Sequence, residues 1–183
     1  MKSKILTLIL PGILLLFLTS GCFIKDELTN KKSFVKIELT GPLKNGVFSI
    51  ETEGPDTNFI YASGLISTNT ETNLETALLT FQDDTQELYV TFAFPTKTGL
   101  NELVYDEIDE YISVTFLNEE LILVSKIMSL NISKFEKKEN LLSGYSGTFK
   151  ARGTFTGTAV YVDVVTNEEY IHILTGEFEY HPF

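Results

Sequence analysis

Two histidines, one cysteine and no tryptophan leave this chain of 183 residues a short inventory of reactive side chains. A serine hydrolase needs a nucleophile, a histidine base and an orienting acid. The string nearest to a nucleophile elbow, Gly144-Tyr145-Ser146-Gly147, has the wrong glycine spacing and precedes a strand pattern instead of joining a strand to a helix. His172 alternates with Ile171 and Ile173, so isoleucines in the core would put its imidazole in water. His181 belongs to the segment His181-Pro182-Phe183, where the backbone is expected to fray. The two histidines also lack the ligand spacing of a zinc site. Neither is expected to carry chemistry, and no catalytic residue is assigned.

Carboxylates are more plentiful. Asp83, Asp84 and Glu87 fall in an expected hairpin loop, and Asp106, Glu107, Asp109 and Glu110 crowd together further on. Hard oxygen ligands on loops suit Ca²⁺, so any bound ion is expected to be Ca²⁺ at one of these two places. Neither stretch has the glycine and spacing of an EF-hand loop, and solvated acidic surface is the plainer reading. Paired carboxylates also keep open an extracytoplasmic carboxylate-dependent hydrolase, a chemistry that needs two such groups at a set separation in a cleft. Tyr89, Tyr111 and Tyr161 fall on expected outward positions and could form a sugar-stacking or protein-binding face. The lack of tryptophan weakens the sugar version, and ordinary cross-strand packing competes with both.

Charge removes other classes. Fourteen Lys and Arg residues stand against 25 Asp and Glu, a formal net of −11, and Arg152 is the single arginine. Nucleic-acid binding requires a cationic patch to neutralise phosphates, and none is present. An acidic surface is also repelled by anionic lipid head groups, so membrane association must come from another source.

The first residues supply one. Met1-Lys2-Ser3-Lys4 is a short positive segment, followed by the apolar run Ile5 to Leu18. That run is too short to span a bilayer, which takes about 20 residues, and matches the hydrophobic region of a secretory signal. Leu18-Thr19-Ser20-Gly21-Cys22 then resembles the lipobox of bacterial lipoproteins, with Thr19 where that family usually has leucine. The resemblance implies a signal peptide over residues 1–21, removed on export, and a diacylglyceryl group with a further acyl chain such as palmitate on Cys22. Two or three acyl chains anchor a domain stably, at about 0.8 kcal/mol per buried CH₂. Residues 22–33 read as a tether, and the eleven from Phe23 to Ser33 reach at most about 40 Å. Within it Lys25-Asp26-Glu27 resembles the Lys-acidic-acidic signal of surface-exposed lipoproteins of Gram-negative bacteria.

From residue 34 to 183 the dominant pattern has period two, which predicts one β domain. Leu88, Val90, Phe92 and Phe94 alternate with Tyr89, Thr91 and Ala93, and Ile112, Val114 and Phe116 with Tyr111, Ser113 and Thr115. Met128, Leu130 and Ile132 make a third core series, and Val160, Val162 and Val164 a fourth. Further strands are expected at Val35–Leu39, Val47–Glu51, Phe59–Leu65, Leu74–Phe81, Gly147–Phe155, Tyr170–Leu174 and Glu177–Tyr180. One wet face per strand means antiparallel pairing. About ten short strands separated by turns predict an all-β antiparallel sandwich, with a closed, lipocalin-like barrel as the alternative. A short helix is expected over Asn101–Tyr111, from Val104, Ile108 and Tyr111. The stretch Ser143 to Phe155 and the later Thr175-Gly176-Glu177-Phe178 resemble secreted all-β lipoprotein domains of unknown function, a likeness that brings no catalytic residues.

The expectation is an exported domain, lipid-anchored to the outer membrane of a Gram-negative bacterium and surface-exposed. It would act as a non-catalytic binding or structural accessory, with an envelope protein or polysaccharide as partner. The carboxylate-dependent hydrolase is the alternative.

Overall fold

The computed structural model describes residues 32–52, 59–69, 72–104, 110–138 and 148–182. The expected signal peptide, Cys22 and the expected tether up to residue 31 lie outside the described residues, as do Asp106, Glu107, Asp109 and the Gly144–Gly147 string. Lys32–Phe183 makes up one compact unit.

Among the described residues ten strands run in chain order: β1 Phe34–Thr40, β2 Gly46–Glu51, β3 Ile60–Thr68, β4 Glu75–Asp83, β5 Leu88–Pro95, β6 Gly99–Val104, β7 Tyr111–Phe116, β8 Leu121–Lys138, β9 Thr148–Val162 and β10 Glu169–Tyr180. A 3-10 turn, Leu117–Glu119, joins β7 to β8. All pairings are antiparallel and belong to one sheet in the order β2-β1-β10-β9-β8-β7-β5-β4-β3, with β6 added on β8. The all-β antiparallel fold is as expected. It is one continuous sheet that curls until its inner faces meet. The rings show the closure: Phe92 on β5 lies 4.7 Å from Phe178 on β10 and 5.4 Å from Phe155 on β9, and Phe48 on β2 lies 4.9 Å from Phe116 on β7.

Two devices let the sheet bend. The long β8 shifts register against β9 between Ser125 and Ile127 and again between Ile132 and Lys134, and such bulges sharpen local twist. Opposite the first shift stands Gly157, where any Cβ would come within 2.2 Å of the Ile127 carbonyl oxygen. A side chain there would push β9 off β8.

Three turns share one construction. An Asx residue opens each, and a residue four positions on takes the left-handed conformation: Asn69 with Asn73, Asp83 with Glu87, and Asp163 with Asn167. The Asx oxygen accepts from main-chain N–H groups inside the turn and replaces the ladder bonds lost where the chain reverses.

Several expectations need correction. Asn101–Val104 is the end of strand β6, not a helix, because Asn101 and Leu103 bury their side chains in alternation and pair with Leu130 and Met128. Val162 and Val164 are not core; the inward residues of that segment are Ala159 and Tyr161. The same inversion holds across the hairpin, where Ile171 and Ile173 are exposed and His172 is buried. Parity here is dictated by the rest of β10. Leu174, Phe178 and Tyr180 fill the core from the even positions, and an unbroken strand carries that phase back to His172. The end of the chain is also pinned. The Ser33 hydroxyl donates to the His181 carbonyl at 3.0 Å and accepts from the His181 N–H at 2.9 Å, so the domain begins before Phe34.

Candidate functional site

The sheet's outer face, at the end of β3, β4 and β5, carries the densest side-chain network. Register places Tyr61, Gln82 and Tyr89 side by side on three neighbouring strands. The Tyr61 hydroxyl donates to Gln82 Oε1. Gln82 Nε2 donates to Asp84 Oδ1 at 2.6 Å and to the Tyr89 hydroxyl at 2.9 Å, and that hydroxyl donates in turn to Asp84 Oδ1 at 2.8 Å. Accepting this bond, the Asp84 carboxylate holds the Tyr89 phenol above its usual range, so Tyr89 remains a neutral donor. One row further along, Thr80 and Thr91 share a hydroxyl contact at 3.4 Å. The result is a pair of oriented phenol rings framed by an amide, a carboxylate and hydroxyls.

Tyr89 was legible in the sequence as an outward residue. Tyr61 and Gln82 were not, because Gln82-Asp83-Asp84 reads as a turn whereas β4 runs on through Asp83. The signal that could have found them is the odd-position core series Ala77, Leu79 and Phe81, which assigns Gln82 to the wet face.

The other expected site residues are not gathered here. Tyr111 shares the outer face but pairs with Ala93, four residues from Tyr89 along the strand and about 13 Å away. Tyr161 faces inward, packed against the core and 6.2 Å from the ring of Tyr170. The three tyrosines therefore form no common platform.

The Ca²⁺ expectation at the β4–β5 turn fails on strand geometry. Adjacent residues of a strand point to opposite faces, so Asp83 is buried while Asp84 is exposed. Asp83 is used up by its turn. It accepts from the Thr85 N–H at 2.8 Å, the Thr85 hydroxyl at 2.6 Å, the Gln86 N–H at 3.1 Å and the Gln86 amide at 2.5 Å. Burial pushes its carboxyl up, and these hydrogen bonds more than reverse that, leaving it below the ordinary aspartate value. Glu87 supplies the left-handed corner of the turn. At the second acidic stretch Glu110 is half-buried beside β7. Among the described residues no group of three or more His, Cys, Asp or Glu side chains converges in a way that could hold a metal ion.

Each histidine is hydrogen-bonded to neighbouring groups. His172 Nδ1 faces the Tyr170 carbonyl at 3.1 Å, and a carbonyl only accepts, so Nδ1 bears the proton and Nε2 accepts from the Leu43 N–H at 3.3 Å. Its ring lies under Gly41, where a Cβ would fall 2.1 Å from Cδ2. His172 thereby clamps the β1–β2 turn. His181 pairs with Glu179 at 2.8 Å, near Ser33. These are the residue types of a triad, but the Ser33 hydroxyl is committed to the main chain of His181 and is fully buried, so it presents no nucleophile.

No protein family matches the chain, no curated protein matches it, and no solved structure matches it. Among the described residues no helix is long and apolar enough to cross a membrane.

Proposed function

We propose that this chain is a lipoprotein of the cell envelope, exported by a signal peptide and held by acylated Cys22 in the outer membrane of a Gram-negative bacterium. Its β domain works as a non-catalytic binding or accessory module for an envelope protein or polysaccharide. The observation that carries the binding reading is the Tyr61–Gln82–Tyr89–Asp84 network. Aromatic faces beside prearranged amide and carboxylate groups give an extended partner both stacking area and directional hydrogen bonds. Among the described residues Asp83 is committed to its turn, Ser33 to the main chain and His172 to the β1–β2 turn, which supports the non-catalytic reading.

The test pairs two measurements on the full chain. Immobilised envelope polysaccharide and, separately, envelope proteins are probed with the wild type and with Tyr61→Ala/Tyr89→Ala. Removing both rings should lower retention on one of these supports about tenfold, or about 1.4 kcal/mol, since an aromatic pair is worth roughly 0.5–1.5 kcal/mol. Equal retention of both proteins ends the binding reading. In cells grown with labelled palmitate, the wild type should take up label and Cys22→Ser should not; a wild type without label, or a variant labelled as strongly, ends the anchor reading.

A further inference from the structure

The opposite half of the same outer face is aliphatic and unpaired. Val104, Ile127, Thr158 and Ile173 stand in one cross-strand row over β6, β8, β9 and β10, and Val124, Val160 and Ile171 in the next, where Val160 itself is buried and Val124 half-buried. Ile122 and Val162 extend the second row by one pleat on β8 and β9. Ile122, Ile127, Val162, Ile171 and Ile173 are each more than 40% exposed, and Ile127 reaches 63%. Beyond them, at the tip of the β9–β10 turn, Val164 is 92% exposed. Soluble surfaces scatter such residues singly, and a contiguous group marks an interaction site.

Charge says what can cover it. The chain as a whole is strongly acidic, yet the charged pair set in this patch, Lys126 and Glu169, neutralises itself at 2.5 Å. An acidic surface is driven away from a lipid head-group layer, and a neutral aliphatic one is not. Reach agrees. Thr40, level with Ile173, stands seven residues beyond Ser33, about 23 Å along β1, and the residues from Phe23 to Lys32 extend to about 35 Å. We propose that the outer face of β6, β8, β9 and β10 lies against a lipid leaflet and turns the Tyr61–Tyr89 network toward its partner. The proposal rests on the anchored reading for the source of the leaflet, and its test separates the two.

Because the chain has no tryptophan, single reporters can be read without background. The full chain carrying Ile173→Trp, Val164→Trp or Tyr89→Trp is mixed with phosphatidylcholine vesicles whose acyl chains are brominated. Ile173→Trp and Val164→Trp should shift to the blue and be quenched at least about twofold more than Tyr89→Trp, as expected for an interfacial apolar face. Equal quenching at all three positions, or none, overturns the proposal. So does a blue shift that grows with protein concentration without vesicles, which assigns the face to a second copy of the chain. Repeating the series in Cys22→Ser keeps the readings apart. The apolar N-terminal run still brings the chain to vesicles, so an unchanged quenching pattern upholds the face even if palmitate labelling shows that Cys22 is not acylated.

Discussion

The β4–β5 and β9–β10 hairpins are built on the same Asx turn and have opposite polarity. In β4–β5 the inner side is aromatic and aliphatic, with Phe81, Val90 and Phe92 fully buried, and the outer side carries Gln82, Tyr89, Thr80 and Thr91. Near the β9–β10 turn the inner side holds Tyr161, Tyr170, Ala159 and His172, and the outer side holds Val162, Val160, Ile171 and Ile173. Turn chemistry therefore sets where the chain reverses and has no say in which face is buried. That choice comes from the rest of each strand. The outcome is a sheet whose outer surface is hydrogen-bonded and polar at one end and aliphatic at the other, a division of labour between partner and membrane in the reading proposed above.

The largest expected effect contrasts the two apolar sides. Phe92 packs on Phe81, Phe155 and Phe178, so Phe92→Ala should cost about 3–5 kcal/mol in urea denaturation. Ile171→Thr with Ile173→Thr should stay within about 0.5 kcal/mol per site, as surface changes do. A loss of several kcal/mol from the isoleucine pair would mean that they are core and would erase the contrast.

An intermediate effect is expected at His172. His172→Leu keeps the volume but strands the Leu43 N–H and the Tyr170 carbonyl, at a cost of about 1–3 kcal/mol for groups left without partners. Amide exchange at Leu43 should accelerate in the same variant. Unchanged stability together with unchanged exchange would return the imidazole to solvent.

The smallest effect compares the two turn aspartates by pH. The carboxyls of Asp83 and Asp163 both sit below the ordinary aspartate value. For Asp83 burial opposes the shift and hydrogen bonds from Thr85 and Gln86 prevail; for Asp163 the N–H groups of Thr166 and Val165 are the cause. A carboxyl lowered in the folded state adds stability above its unfolded pKa, about 3.9, and that stability is lost as pH falls through the lower folded value. Thermal melts from pH 7 to pH 2 should therefore show an acid limb below about pH 4, and Asp83→Asn should flatten it more than Asp163→Asn does. At pH 7 Asp83→Asn should cost only about 1 kcal/mol, since the amide oxygen still accepts from the turn. An acid limb identical in both variants would show that the side-chain donors at Asp83 add nothing.

Much of the fold was legible. The series Leu88 to Phe94 and Ile112 to Phe116 each have one apolar phase and no competitor, so strand and buried face could be read together. The site was legible only in part. Tyr89 stood out on its own strand, but Tyr61 and Gln82 join it through register across β3, β4 and β5, and pairing between strands leaves no trace in the local pattern of any one of them. In the β9–β10 hairpin both phases are apolar enough to claim the core. Valine and isoleucine at 162, 171 and 173 outweigh tyrosine and histidine at 161 and 172 in any local window, and local hydrophobicity chose wrongly there, whereas Val160 is buried as expected.

By itself the sequence determined what period and composition determine: strands of one wet face, antiparallel pairing, turns between short strands, an acidic surface, and a lone cysteine behind an apolar run. The tertiary structure decided the phase of the β9–β10 hairpin, the meeting of Tyr61, Gln82 and Tyr89, and the pairing of His172 with the β1–β2 turn. The physical reason is the strict two-residue period of a strand. A local pattern can show that alternation exists, while the face that is buried is fixed by whichever part of the strand meets the core first, and in β10 that part is Leu174, Phe178 and Tyr180.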